Sequence, residues 1–129
     1  MTKRADLAFA RGAMQLPVEV KGQWHKDVWD AATSQLDVQY LVDWRCEQRG
    51  IYCVLWFGDV PSSSKRRLKA HPDGVSAPAS AEEMRTMLIG RIPEARRALI
   101  DVVVFDFDRI MPRIKPMVNT LSRASKPYW

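Results

Sequence analysis

Gly50-Ile51-Tyr52-Cys53-Val54-Leu55-Trp56-Phe57-Gly58 is the stretch on which the fold turns. Seven consecutive apolar residues between two glycines read as a strand covered on both faces, because a strand with one wet face alternates apolar and polar side chains. Such a strand belongs at the centre of a sheet, and the sequence around it has to supply the neighbours.

Upstream, Leu16-Pro17-Val18-Glu19-Val20-Lys21 alternates apolar with other residues and predicts a strand. Pro17 cannot donate a ladder hydrogen bond, which places it near an edge or at a strand start. Leu7-Ala8-Phe9-Ala10 precedes it across the turn Arg11-Gly12-Ala13, and the two pieces predict a hairpin. Gly22 ends the strand. Asp27 and Asp30 read as the N-cap and first-turn acid of a helix running to about Trp44, with Trp29, Ala32, Leu36 and Tyr40 as its buried stripe. Cys46 to Gly50 then form the exit loop.

Downstream, Asp59 to Ser80 turns to Ser, Pro, Gly and basic residues and reads as a long loop or mobile arm. Ser80 with Glu83 is a capping-box pattern, opening a helix that carries Met84, Met87 and Leu88 on one side. A short helix follows Pro93, and Ile100 to Phe107 predicts a further, largely buried strand. Beyond Arg109, prolines and positive charge without periodicity predict a poorly ordered basic tail. The expectation is an α/β fold, a mixed sheet flanked by helices, in one domain over residues 1–108 with a tail over 109–129.

The chain has 129 residues, enough for one core and too few for two. Its longest apolar run has seven residues, against roughly 20 for a spanning helix, so no membrane partner is expected. No signal-like stretch follows Met1, and a cytoplasmic location is the expectation. Two cysteines, Cys46 and Cys53, make no disulfide framework and lack metal-type spacing with His25 or His71. Both read as buried or inert thiols. The net charge of +5 is uneven: residues 1–64 sum to −1 and residues 65–129 to +6. A basic half suits an anionic partner such as nucleic acid, and equally a solvated tail.

Asp6, Glu19 and Lys21 are the candidates for chemistry. Positions two apart on a strand share a face, so Glu19 and Lys21 project together, and Val18 and Val20 are expected to enter the core. In a hairpin the Asp6 carboxylate can converge with that of Glu19. Mg²⁺ favours such a set, one or two carboxylates with a backbone carbonyl such as that of Val20, and retains waters for reaction. A lysine beside a metal-bound water can orient it or neutralise charge on a phosphate. Against this, Glu-x-Lys on a wet strand face is ordinarily a solvated ion pair worth about 0–1 kcal/mol.

Asp6, the segment Pro17-Val18-Glu19-Val20-Lys21, a helix bearing Gln35 and Tyr40, and the apolar strand from Gly50 to Gly58, in that order, resemble the PD-(D/E)XK nuclease superfamily. More narrowly they look like a nuclease-like domain often found at the C-terminus of larger bacterial proteins. The resemblance covers about residues 4–108 and implies a restriction-endonuclease-like core. It implies Asp6, Glu19 and the Val20 carbonyl as ligands of Mg²⁺, with Mn²⁺ as substitute, and Lys21 acting on the water or scissile phosphate. Gln35 would belong to the helix beside the site, with Gln39 and Tyr40 as alternatives for the residue facing the metal. The implied activity is hydrolysis of DNA phosphodiesters by a metal-activated water. Relatives carry a helix and a strand ahead of the Asp-bearing strand, whereas five residues precede Asp6 here. That implies a core lacking its first helix and strand, a host polypeptide or second subunit completing it, and, as the alternative function, an inactive nucleic-acid-binding or assembly module.

The remaining features have plainer readings. His25 is read as a loop histidine and His71 as part of the turn His71-Pro72-Asp73-Gly74. Trp24, Trp29, Trp44 and Trp56 are assigned to the core. Lys65-Arg66-Arg67-Leu68-Lys69 suits either a DNA backbone or solvent. Asp101, Asp106 and Asp108 are boundary residues of the last strand.

Overall fold

The computed structural model describes residues 7–12, 14–37 and 49–110. Asp6, Gln39, Tyr40, Trp44, Cys46 and the tail from residue 111 onward lie outside them. Four strands make one mixed sheet among the described residues: β1 (Leu7–Arg11), β2 (Met14–Gly22), β3 (Gly50–Trp56) and β4 (Ile100–Asp106), in the spatial order β1-β2-β3-β4. β1 and β2 form the expected antiparallel hairpin, with Leu7 opposite Val18 and Arg11 opposite Met14. β2 and β3 run parallel, as do β3 and β4. The apolar 50–58 segment therefore supplies an interior strand with two parallel neighbours, which explains why it lacks alternation.

Parallel neighbours require crossovers. From β2 to β3 the chain passes through turns and a π-helical segment, Ala32–Asp37. From β3 to β4 it passes through a loop, helix α1 (Ala81–Arg91) and a 3₁₀ turn at Glu94–Arg96. A last helical turn, α2 (Phe107–Ile110), follows β4. No helix among the described residues is long and apolar enough to cross a membrane.

One face of the sheet carries the core. Tyr52, Val54 and Trp56 of β3 and Ile100 and Val102 of β4 meet Val28, Trp29, Ala31, Ala32 and Leu36 from the first crossover and Met84, Leu88 and Ile92 from the second. Ser80 caps α1 as expected, its hydroxyl accepting from the Glu83 amide at 3.1 Å. α1 also closes the outer edge of the sheet, where Arg85 Nε donates to the Val102 carbonyl at 2.8 Å. On the opposite face Val18 and Cys53 are buried, and Phe105 is 51% exposed.

The expected regular helix from Asp27 is replaced at its start by turns, and tertiary donors are the reason. The Val28 carbonyl accepts the Tyr52 hydroxyl at 2.6 Å, and that of Trp29 accepts Arg91 Nε at 3.3 Å. The stripe is right as far as it is described, with Trp29, Ala32 and Leu36 all buried.

The long basic loop is pinned to the strand ends by Gln23, which is fully buried. Its side chain donates to the carbonyls of Gly58 (2.9 Å) and Arg66 (2.8 Å) and accepts from the Phe57 amide (2.7 Å). Its backbone carbonyl accepts from the Lys69 amide at 2.9 Å, and the Lys69 carbonyl accepts Trp29 Nε1 at 2.7 Å. The segment read as a long loop or mobile arm is thus anchored at Arg66 and Lys69.

Gly58 completes the turn. Its φ of +72° favours glycine, and a methyl group there would sit 2.6 Å from Asp108 Oδ2.

Candidate functional site

Glu19 and Lys21 project together, as expected, but toward the opposite face from the one alternation implied. In the parallel ladder Glu19 stands beside Tyr52 and Lys21 beside Val54, both core residues. Val18 and Val20 stand beside Ile51 and Cys53 on the other face. Val18 enters the core as expected, on this other face and outside the main cluster, whereas the expectation for Val20 is corrected. The crossover at residues 28–36 covers the Glu19 side of β2, and Val20 is only half-buried.

Burial changes what the Glu-x-Lys pair means. Glu19 is 1% exposed, and its Oε1 receives Lys21 Nζ at 3.0 Å. Its second oxygen, Oε2, is buried and has no hydrogen-bond partner among the described residues. The solvated-pair reading fails here, because a buried charge carries a desolvation cost that one lysine contact only partly offsets.

Gln35 is also buried, within the Ala32–Asp37 segment of the crossover. Its Nε2 donates to Asp27 Oδ2 at 3.1 Å, and its Oε1 is buried without a partner among the described residues. Asp27, read from the sequence as a helix cap, spends its carboxylate on this amide.

Tyr52 completes the local arrangement. Burial pushes its hydroxyl well above the ordinary phenol range, and the negative charges of Glu19, Asp27 and Asp30 push it the same way. It stays a neutral donor, tied to the Val28 carbonyl. That one phenol feels both Glu19 and Asp27 shows that β2 and the crossover bring two carboxylates to the same region.

The arrangement leaves two buried oxygens without a hydrogen-bond partner among the described residues: Glu19 Oε2, on the carboxylate that Lys21 pairs, and Gln35 Oε1 in the crossover. Both are hard oxygen donors of the kind Mg²⁺ takes. Among the described residues no group of three or more His, Cys, Asp or Glu side chains could hold a metal ion. Asp6, the further carboxylate the resemblance implies, falls outside them, so its convergence on Glu19 is not described.

Sequence reasoning missed Gln23, Asp27 and Tyr52. The one available signal was register: once β3 is parallel to β2, the residue beside Glu19 has to be Tyr52. The two histidines behave as loop residues. Nδ1 of His25 accepts from the Asp27 amide and that of His71 from the Asp73 amide, each at 3.0 Å. Cys53 is a buried thiol, its ionisation pushed up by desolvation.

Comparison of the chain with protein-family models, with curated proteins and with solved structures found no match. The architecture seen is a mixed α/β sheet with few helices.

Proposed function

We propose that the protein is a Mg²⁺-dependent nuclease that hydrolyses DNA phosphodiester bonds on a restriction-endonuclease-like core. The observation that carries this reading is the buried Glu19 carboxylate, with one oxygen on Lys21 and the other without a partner among the described residues. A charged group left half-satisfied in a low-dielectric site costs several kcal/mol, which a bound cation would offset.

Glu19 Oε2 and the Val20 carbonyl are the ligands proposed on β2, Asp6 is a further one proposed from outside the described residues, and Gln35 is the residue proposed to act beside them from the crossover. Bound there, Mg²⁺ or Mn²⁺ would supply an acidified water as nucleophile. Lys21 holds Glu19 in one rotamer and presents a positive charge to the phosphate as negative charge builds on it. Tyr52, kept neutral, anchors the crossover that carries Asp27 and Gln35 over β2.

The test is cutting of supercoiled plasmid DNA with Mg²⁺ and with chelator. Glu19→Gln and Lys21→Met should each lower the rate roughly a hundredfold or more while the fold survives. Wild-type cutting by either variant would overturn the reading.

A second reading, an inactive nuclease-like nucleic-acid-binding or assembly module within a larger protein or complex, is favoured by the Glu19–Lys21 contact itself. An ammonium at 3.0 Å already supplies one positive charge. Salt-sensitive DNA binding without any metal-dependent cutting would select it.

A further inference from the structure

The carboxyl ends of three parallel strands deliver an aromatic residue each. Trp24 follows β2, Phe57 follows β3 and Phe107 follows β4. Their rings form a continuous series: Trp24 and Phe57 have centroids 5.7 Å apart at 49°, and Phe57 and Phe107 are stacked at 5.0 Å and 10°. The Trp24 indole lies over Gly22, where any added methyl group would run into its six-membered ring. The glycine is therefore what lets the indole lie there, and the ring remains 37% exposed.

Arg66 reaches over this series. Its Cζ lies 5.7 Å from the Trp24 ring centroid and 5.1 Å from that of Phe57. The guanidinium issues from a fixed point, since the Arg66 carbonyl is held by Gln23 and its amide by Ser64 Oγ. Lys65, Arg66, Arg67 and Lys69 are all exposed. No salt bridge between any of them and another described residue is present. Beside the rings, a cleft of about 320 Å³ opens between the end of β3 and the same loop, lined by Trp56, Gly58, Asp59, Arg67 and Lys69 among others. Two pairs of chain neighbours, Phe57 with Gly58 and Arg66 with Arg67, join rings to cleft.

We infer that this end of the sheet binds single-stranded nucleic acid, an unpaired base stacking against the exposed part of the Trp24 indole beside Arg66 and the flanking phosphates lying along the Lys65–Lys69 loop. Aromatic rings next to exposed cations that have no salt bridge among the described residues match a ligand that offers both a planar ring and regular negative charge. Duplex DNA buries its base faces in the stack and offers the phosphates alone. An acidic peptide offers charge without the planar face. The inference sharpens the DNA partner proposed above by naming its form, and it uses none of Glu19, Lys21 or Gln35.

The experiment is fluorescence anisotropy with a labelled oligodeoxythymidine of about 20 nucleotides, longer than the roughly 4–16 that one small domain covers. A duplex of the same length is the comparison, and chelator is present throughout so that metal chemistry plays no part. The single strand should bind about tenfold tighter than the duplex. Trp24→Ala should weaken single-strand binding about tenfold, and Trp24→Phe should restore most of the loss because a ring remains. Arg67→Ala with Lys69→Ala should reduce the slope of log affinity against log salt by about 1–2. Equal or tighter duplex binding, or a Trp24→Ala variant as tight as wild type, would overturn the inference. Metal-dependent cutting is scored separately, so binding without cutting defeats only the nuclease reading. Cutting that is as fast on duplex as on single strand, with no effect of Trp24→Ala, defeats only this one.

Discussion

Two buried glutamines, one just after β2 and one in the crossover that covers it, are treated in opposite ways. Gln23 spends its amide completely, donating to two carbonyls and accepting from one amide. Among the described residues Gln35 spends only its nitrogen, and its oxygen, like Glu19 Oε2, is buried without a partner. Buried polar groups are nearly always paired, so Gln23 behaves as a structural clamp. The open atoms of Gln35 and Glu19 mark a place where stability has been given up. The pairing of Glu19 with Lys21, on a strand face otherwise lined by core, makes β2 the candidate site, and Gln35 belongs to the crossover that covers it.

The contrast can be broken most sharply at Gln23. Gln23→Ala orphans the Gly58 and Arg66 carbonyls and the Phe57 amide, and should cost about 4 kcal/mol in urea denaturation. A loss below about 1 kcal/mol would show that the clamp does not organise the strand ends. Lys21→Met comes next. It leaves the buried Glu19 carboxyl without its ammonium partner, for a loss of about 3 kcal/mol, and adding Glu19→Gln should recover most of that stability without restoring cutting. Tyr52→Phe should cost about 1–2 kcal/mol by freeing the buried Val28 carbonyl. Gln35→Ala should cost least, about 1 kcal/mol or less, since a single bond to a partly exposed Asp27 is lost. If Gln35→Ala proved as damaging as Gln23→Ala, the distinction between clamp and site would collapse.

Tyr52 also sets an alkaline limit. Its hydroxyl ionises at higher pH in the folded chain than in the unfolded one. Above about pH 10 the unfolded state loses this proton while the folded state keeps it, so stability falls as pH rises. Tyr52→Phe should flatten this part of the stability profile measured by denaturant titration. An unchanged slope would remove Tyr52 as its source.

Local rules read the hairpin, the interior strand, the Ser80 cap and β4 from the sequence, because each is encoded by a turn, a run or a cap within a few residues. They did not read which face of β2 is covered. Alternation of Leu16, Val18 and Val20 with Glu19 and Lys21 points the polar pair to water only if one face is wet. Here the crossover closes over Glu19, and that depends on residues some ten positions away. Gln23 had no signal at all, since a single amide after a glycine fits any loop. Asp27 had a misleading one: a good cap residue ahead of a helical stripe, drawn off by Gln35 once Tyr52 and Arg91 had taken the neighbouring carbonyls.

The claim on which the nuclease reading rests is that Glu19 is held open for a cation. Calorimetric titration of Mn²⁺ into the wild-type protein and into Glu19→Gln, without DNA, tests it directly. One bound ion in the wild type, lost or weakened at least tenfold in the variant, is the expected result. Equal binding by both proteins, or none by either, would contradict it.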